Sequence, residues 1–330
     1  MPRATGYDPG MLKVGLIGLG RMGRPLCTRL ARAGHPVTAF DARPERKADA
    51  ERSGARWQDS AKAAAAGADV LVTVLPGPAD VAAAVDDAVL RALGAGGIWL
   101  DMSSSTPEAA AALRDLARRH GVDTLEAPIG GSPQDAAAGR ARLFVGAEEA
   151  TLTRVRPLLE ALTAPDLLTR VGGPGTGYVA KLLVNSLWFG QAVATAEALL
   201  LGSRAGIDPA LMREVLLAGP AAGAFTRDHL PALFAGDYLP SYELDRIHDQ
   251  LAEVTALAGE LGTPHTVAEA VRAVHQRALA RYGPVNGELL GVALLEEQAG
   301  LTLRPGRPDH PDHPGSTDGP SGPDGRQERR

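Results

Sequence analysis

The feature that most restricts the fold is the hexapeptide Gly18-Leu19-Gly20-Arg21-Met22-Gly23, because of what lies on either side of it. Leu12 to Leu19 is almost wholly apolar, with Lys13 at its edge, and reads as a short parallel strand buried on both faces. Beyond the hexapeptide, Met22, Leu26, Leu30 and Ala33 fall on one helical stripe that Gly34 ends. In such a strand–turn–helix unit the first glycine permits the tight turn. The second lets backbone approach a pyrophosphate, and the third lets helix and strand pack closely. The helix N-terminus then offers free N–H groups and a positive dipole end to phosphate. Pro36 to Phe40 is a second strand, and Asp41 closes it 18 residues after Gly23, where a carboxylate can take ribose hydroxyls. Asp41 favours NAD, because a carboxylate repels the extra phosphate of NADP. Arg43 can swing onto that phosphate and keeps NADP open.

The pattern repeats downstream. Val70 to Leu75 is a strand closed by Pro76-Gly77-Pro78, and Gly97 to Met102 is another, followed by a helix from Pro107 to His120. Thr124 to Ala127 and Arg142 to Val145 are further strands. Strands alternating with helices imply an α/β Rossmann domain with a doubly wound, mainly parallel sheet over residues 11–172. After Gly172 no strand pattern is left. Gly177 to Arg204 is one long apolar helix, followed by helices over Pro209 to Leu217, Tyr242 to Leu261 and Thr266 to Arg281. An all-α C-terminal domain is therefore expected over 173–303. A helix apolar on most sides must be buried between domains or subunits, so a homodimer or homotetramer is expected through it. Residues 1–10 read as a flexible leader, and 304–330, rich in Pro, Gly, Asp and Arg, as a disordered tail.

Composition removes several functions. A net charge of −5 does not suit a general binder of nucleic acid or anionic membrane, which needs clustered Lys and Arg. The first ten residues lack the apolar core of a signal peptide, and no run of about 18 apolar residues suggests a membrane span. One cysteine, Cys27, permits neither an intramolecular disulfide nor a cysteine metal site. His120, His229, His265 and His275 have no metal-ligand spacing, so no metal is expected. These features fit a cytoplasmic protein acting on a small molecule.

Four ordered motifs then carry a resemblance. They are Gly18 to Gly23; Asp101-Met102-Ser103-Ser104-Ser105-Thr106-Pro107; Glu126-Ala127-Pro128-Ile129-Gly130-Gly131-Ser132; and Gly175-Thr176-Gly177-Tyr178-Val179-Ala180-Lys181-Leu182-Leu183-Val184-Asn185. From about residue 12 to 300 the chain resembles the β-hydroxyacid dehydrogenase family, which includes 3-hydroxyisobutyrate dehydrogenases and tartronate semialdehyde reductases. The resemblance implies a Rossmann domain, a helical domain and an active site in the cleft between them. It also implies NAD(P)-dependent interconversion of a 3-hydroxy acid and its semialdehyde or oxo acid.

The family's catalytic lysine falls on Lys181. It is the only lysine after residue 62, and Val179, Ala180, Leu182, Leu183 and Val184 surround it. Burying an ammonium is costly, and desolvation lowers a lysine's pKa, which suits proton exchange near neutral pH. The role would be general acid–base at the substrate oxygen. Asn185, four residues on along the same helix face, would orient the lysine or the substrate. The alternative is a lysine whose stem covers apolar surface while its head reaches water. The resemblance also puts Ser104, Leu75 and Pro76 against the cofactor, and Ser103, Gly130, Gly131 and Ser132 at the substrate.

Three departures stand out. Gly130 replaces the serine that usually begins its segment and helps hold a substrate carboxylate, so Ser132 would have to compensate or the substrate lacks that group. Asp80 replaces a common asparagine, and its cofactor contact is not carried over. His248, before Asp249, stands where a lysine often reaches the cofactor; a histidine there would grip it less at alkaline pH. Trp188, Phe189 and Phe225 are candidate pocket walls, with core packing the more ordinary use of each. Two other functions stay open. Imine reductases share the architecture but usually carry Asp or Tyr in place of Lys181. A catalytically silent cofactor-binding scaffold would not need Lys181 and Asn185.

Overall fold

The computed structural model describes residues 11–306; the leader expected over 1–10 and the tail from 307 onward lie outside the described residues. The described chain forms two compact units. One runs to Leu187 and takes in Glu253–Thr263; the other holds Trp188–Ala252 and the chain from Pro264 onward.

In the first unit the order is β1 (Val14–Ile17), α1 (Gly23–Arg32), β2 (Val37–Phe40), α2 (Lys47–Arg52), β3 (Arg56–Trp57), α3 (Ala61–Ala65) and β4 (Val70–Thr73). Then come α4 (Pro78–Ala84), α5 (Asp87–Leu93), β5 (Ile98–Asp101), α6 (Pro107–Arg119), β6 (Asp123–Glu126), β7 (Ile129–Gly130), α7 (Pro133–Ala138), β8 (Arg142–Gly146), α8 (Glu149–Leu162), β9 (Leu168–Gly172) and the long α9 (Thr176–Arg204). The sheet order is β3-β2-β1-β4-β5-β6-β8-β7, with β9 beside β8. Pairs from β3 through β6 are parallel, and β8 runs antiparallel to β6 and β7. The order reverses at β1, flanked by β2 and β4, which is the switch point where doubly wound sheets bind ligands.

The pleat explains the apolar runs. Val14, Leu16, Val70, Val72, Ile98 and Leu100 pack with Leu26 and Leu30 of α1 on one face. Ile17, Leu71 and Trp99 pack with Val89 and Leu90 of α5 on the other. A sheet covered on both sides selects continuous rather than alternating hydrophobicity. β3 and β7, two residues each, are too short to leave a periodic signal, and β9 is mostly exposed, so its residues carry no apolar run.

The second unit takes the remainder of α9 and holds α10 (Pro209–Leu217), α11 (Leu230–Phe234), the start of α12 (Leu244–Glu260), α13 (Thr266–Tyr282) and α14 (Leu290–Ala299). Its core joins Phe189, Val193 and Ala196 of α9 to Ile247, Leu251, Val271, Val274 and Val292. Among the described residues after Gly172 the sole β pairing is an isolated bridge between Glu243 and Asn286. The first turns of α9 belong with the sheet rather than with this helical unit, because they bond to the ends of β5 and β6. Arg304, expected in a disordered tail, is instead held. Its guanidinium pairs with the buried Glu296 at 3.3 Å and donates to the Leu233 carbonyl at 2.9 Å.

Candidate active site at the carboxyl edge of the sheet

The glycine loop runs from the end of β1 into α1. Gly18 has φ +102°, and a Cβ there would lie 2.3 Å from the Val74 carbonyl oxygen, so glycine is needed for both conformation and space. At Gly23 a Cβ would meet the Gly18 carbonyl oxygen at 1.9 Å, which is the close helix–strand packing expected of the third glycine. Gly20 differs: a Cβ would find nothing nearer than Arg43 Nη2 at 3.9 Å, so this face of the loop is open. Helix α1 has no side-chain N-cap and no acidic residue in its first turn. Its leading amides are therefore available to an anion, and loop and helix together fit a dinucleotide's pyrophosphate. Arg21 and Met22 lie in this loop, Arg21 exposed and Met22 half-buried.

Asp41 is buried beside the loop. Its Oδ2 accepts the Leu19 N–H at 2.7 Å, and its Oδ1 accepts the Arg43 N–H at 2.9 Å and Arg43 Nε–H at 3.2 Å. Burial alone would raise its pKa, but the bonds from Arg43 and Leu19 outweigh it and the net direction is down. Asp41 is thus a fixed carboxylate at the end of β2.

The start of α9 is tied to the same edge. Glu126, the last residue of β6, is 2% exposed, and its Oε1 accepts the Gly175 N–H at 2.5 Å and the Gly177 N–H at 3.1 Å. Asp101, the last residue of β5, is equally buried. Its Oδ2 accepts the Tyr178 hydroxyl at 2.7 Å, and its Oδ1 accepts the Thr73 hydroxyl at 2.8 Å and the Ser103 N–H at 3.0 Å. Thr73 in turn accepts the Trp99 indole N–H at 3.0 Å. Desolvation pushes the Glu126 carboxyl up to about 7, against the pull of the Gly177 and Gly175 amides and of Arg114. Burial, with Asp101 opposite, holds the Tyr178 phenol well above its usual range. Lys181 and Asn185 follow on the helix so anchored, both half-buried, one and two turns past Gly177. Asp101 and Glu126 stand within the sequence motifs, but the sequence alone assigns neither a role. For Asp101 a signal was present, a carboxylate closing an otherwise apolar strand; Glu126 closes the mixed Asp-Thr-Leu-Glu strand, which carries no such signal.

Other expected residues fall as follows. The Ser103 hydroxyl is buried and accepts the Leu75 N–H at 2.9 Å, joining the β5 and β4 loops. Thr106 caps α6 through the Ala109 N–H, leaving half-buried Ser104 outside that task. Pro76 is exposed beside Leu75, and Asp80 is exposed in the first turn of α4. Ser132 is committed: its hydroxyl donates to Asp135 Oδ2 at 2.7 Å and accepts the Asp135 N–H at 3.1 Å, while its own N–H donates to Asp135 Oδ2 at 3.1 Å. This capping box starts α7 and spends the donors that were expected to compensate for Gly130. At Gly130 a Cβ would meet the Phe144 ring edge at 3.0 Å, a tight contact that a serine would need the ring to relieve by a few tenths of an ångström. Gly131 has φ +117° and stays exposed. His248 lies on α12 in the second unit, its Nδ1 3.3 Å from Asp249 Oδ1. Phe189 and Phe225 are core residues there, and Trp188 stacks edge-on to Phe225 and His229.

A glycine loop at the switch point, a fixed carboxylate after β2 and an anchored lysine helix define a nicotinamide-dependent oxidoreductase of the Rossmann class. Residues 13–173 match the NAD binding domain of 6-phosphogluconate dehydrogenase, and residues 175–292 match the NAD-binding family of NADP-dependent 3-hydroxyisobutyrate dehydrogenase. The chain is 31% identical to a 2-(hydroxymethyl)glutarate dehydrogenase of Eubacterium barkeri, over 73% of this chain and 80% of that one. It is also 31% identical to the 2-hydroxy-3-oxopropionate reductase of Escherichia coli, over 77% of this chain and 88% of that one. The structure of a Mycobacterium tuberculosis 3-hydroxyisobutyrate dehydrogenase with L-serine superimposes with a TM-score of 0.79 at 26% identity, covering 86% of this chain and 99% of that one. The chain belongs to the β-hydroxyacid dehydrogenase family, and it is an NAD(P)-dependent enzyme acting on CH–OH groups.

Proposed function

We propose that this enzyme interconverts a small 3-hydroxy acid and its semialdehyde or oxo acid, with Lys181 as general acid–base. The observation that carries the reading is the anchoring of the Lys181 helix, through Glu126 and Asp101, to the same sheet edge that carries the glycine loop. Gly18 to Gly23, Asp41, Arg43, Leu75, Pro76 and Ser104 would hold the dinucleotide, whose nicotinamide supplies or takes the hydride. Lys181 would hold the proton at the substrate oxygen, giving it in reduction and taking it in oxidation. Asn185, one turn on, would orient that oxygen or the ammonium. His248 is carried as a cofactor contact by the family pattern alone.

The fixed, ionised Asp41 supports NAD as the preferred form, with Arg43 beside it admitting NADP. Exposed Leu183, Leu187 and Leu201 on one helix support a homodimer or homotetramer. Among the described residues no helix is long and apolar enough to cross a membrane, and a cytoplasmic location is part of the proposal. A second reading, reduction of an imine, draws on Gly130 and the committed Ser132, since an imine brings no carboxylate to be held.

The test is Lys181→Ala beside wild type, followed through NADH and NADPH absorbance with small semialdehydes, 2-oxo acids and cyclic imines. Lys181→Ala is expected to lose roughly 10²–10⁴-fold in kcat while binding cofactor normally. Equal turnover by the variant refutes the acid–base role, and turnover confined to cyclic imines moves the second reading ahead.

A further inference from the structure

The first turn of α9 is held by a group that the proposed chemistry does not use. Glu126 is almost fully buried, and one oxygen, Oε1, takes both the Gly175 and the Gly177 amides. The backbone around it is shaped to admit that carboxylate. A Cβ at Gly146, which pairs with Glu126 across the sheet, would lie 1.9 Å from Glu126 Oε1. A Cβ at Gly177 would lie 2.9 Å from Glu126 Cγ and 2.5 Å from the Phe144 carbonyl oxygen. The two glycines therefore leave space for the Glu126 side chain and for the close approach of the two backbones at that point. An N-terminal helix turn has free amides, and an internal carboxyl oxygen satisfies them. The charged and titratable groups around it are Arg114 of α6, Asp101 at the end of β5, and Tyr178, which is itself bonded to Asp101.

We propose that Glu126 is a positioning residue for catalysis: by tying the first turn of α9 to the end of β6, it sets the register and direction of the helix that carries Lys181 and Asn185. The proposal rests on the reading of Lys181 as the acid–base group. Lys181 lies one turn beyond Gly177, so a tilt or fraying at that turn moves the lysine directly. Misplacement by about 1 Å is enough to cost on the order of 100-fold in turnover. The glycine loop that would hold the dinucleotide is untouched by such a shift, because it is built from β1, α1 and β2.

The experiment compares Glu126→Ala, which removes the acceptor, with Glu126→Gln, which keeps Oε1 at the same reach. Amide hydrogen exchange over 175–178 reads the tether without reference to activity. Binding of NADH and NADPH and oxidation of L-serine and 3-hydroxyisobutyrate read its consequence. Glu126→Ala is expected to speed exchange at the Gly175 and Gly177 amides by about 10-fold or more and to lower kcat by about 10- to 100-fold, with cofactor Kd within about 2-fold. Glu126→Gln is expected to restore both to within about 3-fold of wild type, as a retained hydrogen-bond acceptor should. A merely structural role predicts a lower melting temperature with kcat intact in the folded variant, and that result overturns the proposal. Unchanged exchange in Glu126→Ala overturns it too. If exchange speeds as expected but Lys181→Ala remains active, the tether stands and the role of Lys181 falls. Should wild type turn over neither hydroxy compound, kcat is read in the reducing direction with the small semialdehydes, 2-oxo acids and cyclic imines used for Lys181→Ala, and an intact kcat there overturns the proposal in the same way.

Discussion

Two helix N-termini meet the carboxyl edge of the sheet, and they are finished in opposite ways. Helix α1 begins with no side-chain cap and no acid in its first turn, above a loop whose Gly20 face is open. Helix α9 begins with two of its amides already bonded to the protein's own Glu126. The nearby carboxylates differ in the same sense. Asp41 is held ionised by Arg43 and the Leu19 amide, whereas burial pushes Glu126 up to about 7. An open N-terminus keeps its donors for a foreign anion; a closed one gives up ligand binding for fixed geometry. In this enzyme the first would hold the cofactor and the second would aim the proton carrier.

The largest effect should come from breaking the open end. Gly23→Ala places a methyl 1.9 Å from the Gly18 carbonyl oxygen, a clash that only a shift of the loop relieves. NADH and NADPH affinity should fall by roughly 100-fold or more, with a clear loss in melting temperature. Fluorescence titration with each cofactor reads the first, and thermal unfolding the second. Retained affinity would mean that the loop's shape is not what binds the dinucleotide. Gly177→Ala tests the closed end. Its methyl would press on the Phe144 carbonyl oxygen and on Glu126, so kcat should drop by about 10-fold or more while cofactor Kd stays within about 2-fold. Together the two variants ask whether the helix ends are separable; if both lose cofactor equally, the contrast between them is wrong.

Sequence reading and structure agree most closely where one local rule suffices. The glycine spacing, the apolar strands and the position of Asp41 at a strand end all follow from short-range sterics and burial on both faces, so the α/β Rossmann fold could be read directly. Lys181 stood out because arginine supplies most other positive charge in the chain. Glu126 and its two amides lie 49 and 51 residues apart, and no local pattern links them before the strand and helix are placed. The same holds for Gly130. The ring that crowds that position belongs to Phe144, on a neighbouring antiparallel strand. Ser132 was legible as a hydroxyl but not as a spent one, although Asp135 three residues on is the mark of a capping box.

The sharpest test of the contrast between the two carboxylates is on stability against pH. Glu126 has a folded pKa near 7, above its ordinary value of 4.5, so the folded state holds its proton where the unfolded chain has lost it. The stability it contributes is therefore fully present below about pH 4.5, declines as pH rises, and is gone above about 7. Asp41 runs the other way: its pKa is lowered, so its contribution is present above the unfolded value and is lost as acid titrates the folded carboxylate. Between pH 5 and 8 the Asp41 contribution is thus flat and the Glu126 contribution is not. Wild type measured against Glu126→Gln by urea unfolding should lose on the order of 2 kcal/mol relative to the variant across that range, because glutamine has no proton to release. Wild type against Asp41→Asn should show no such slope over the same buffers. A flat difference for Glu126→Gln would place Glu126 as an ordinary ionised cap, and the distinction between an open helix end served by a charged neighbour and a closed end served by a buried, reluctant one would disappear.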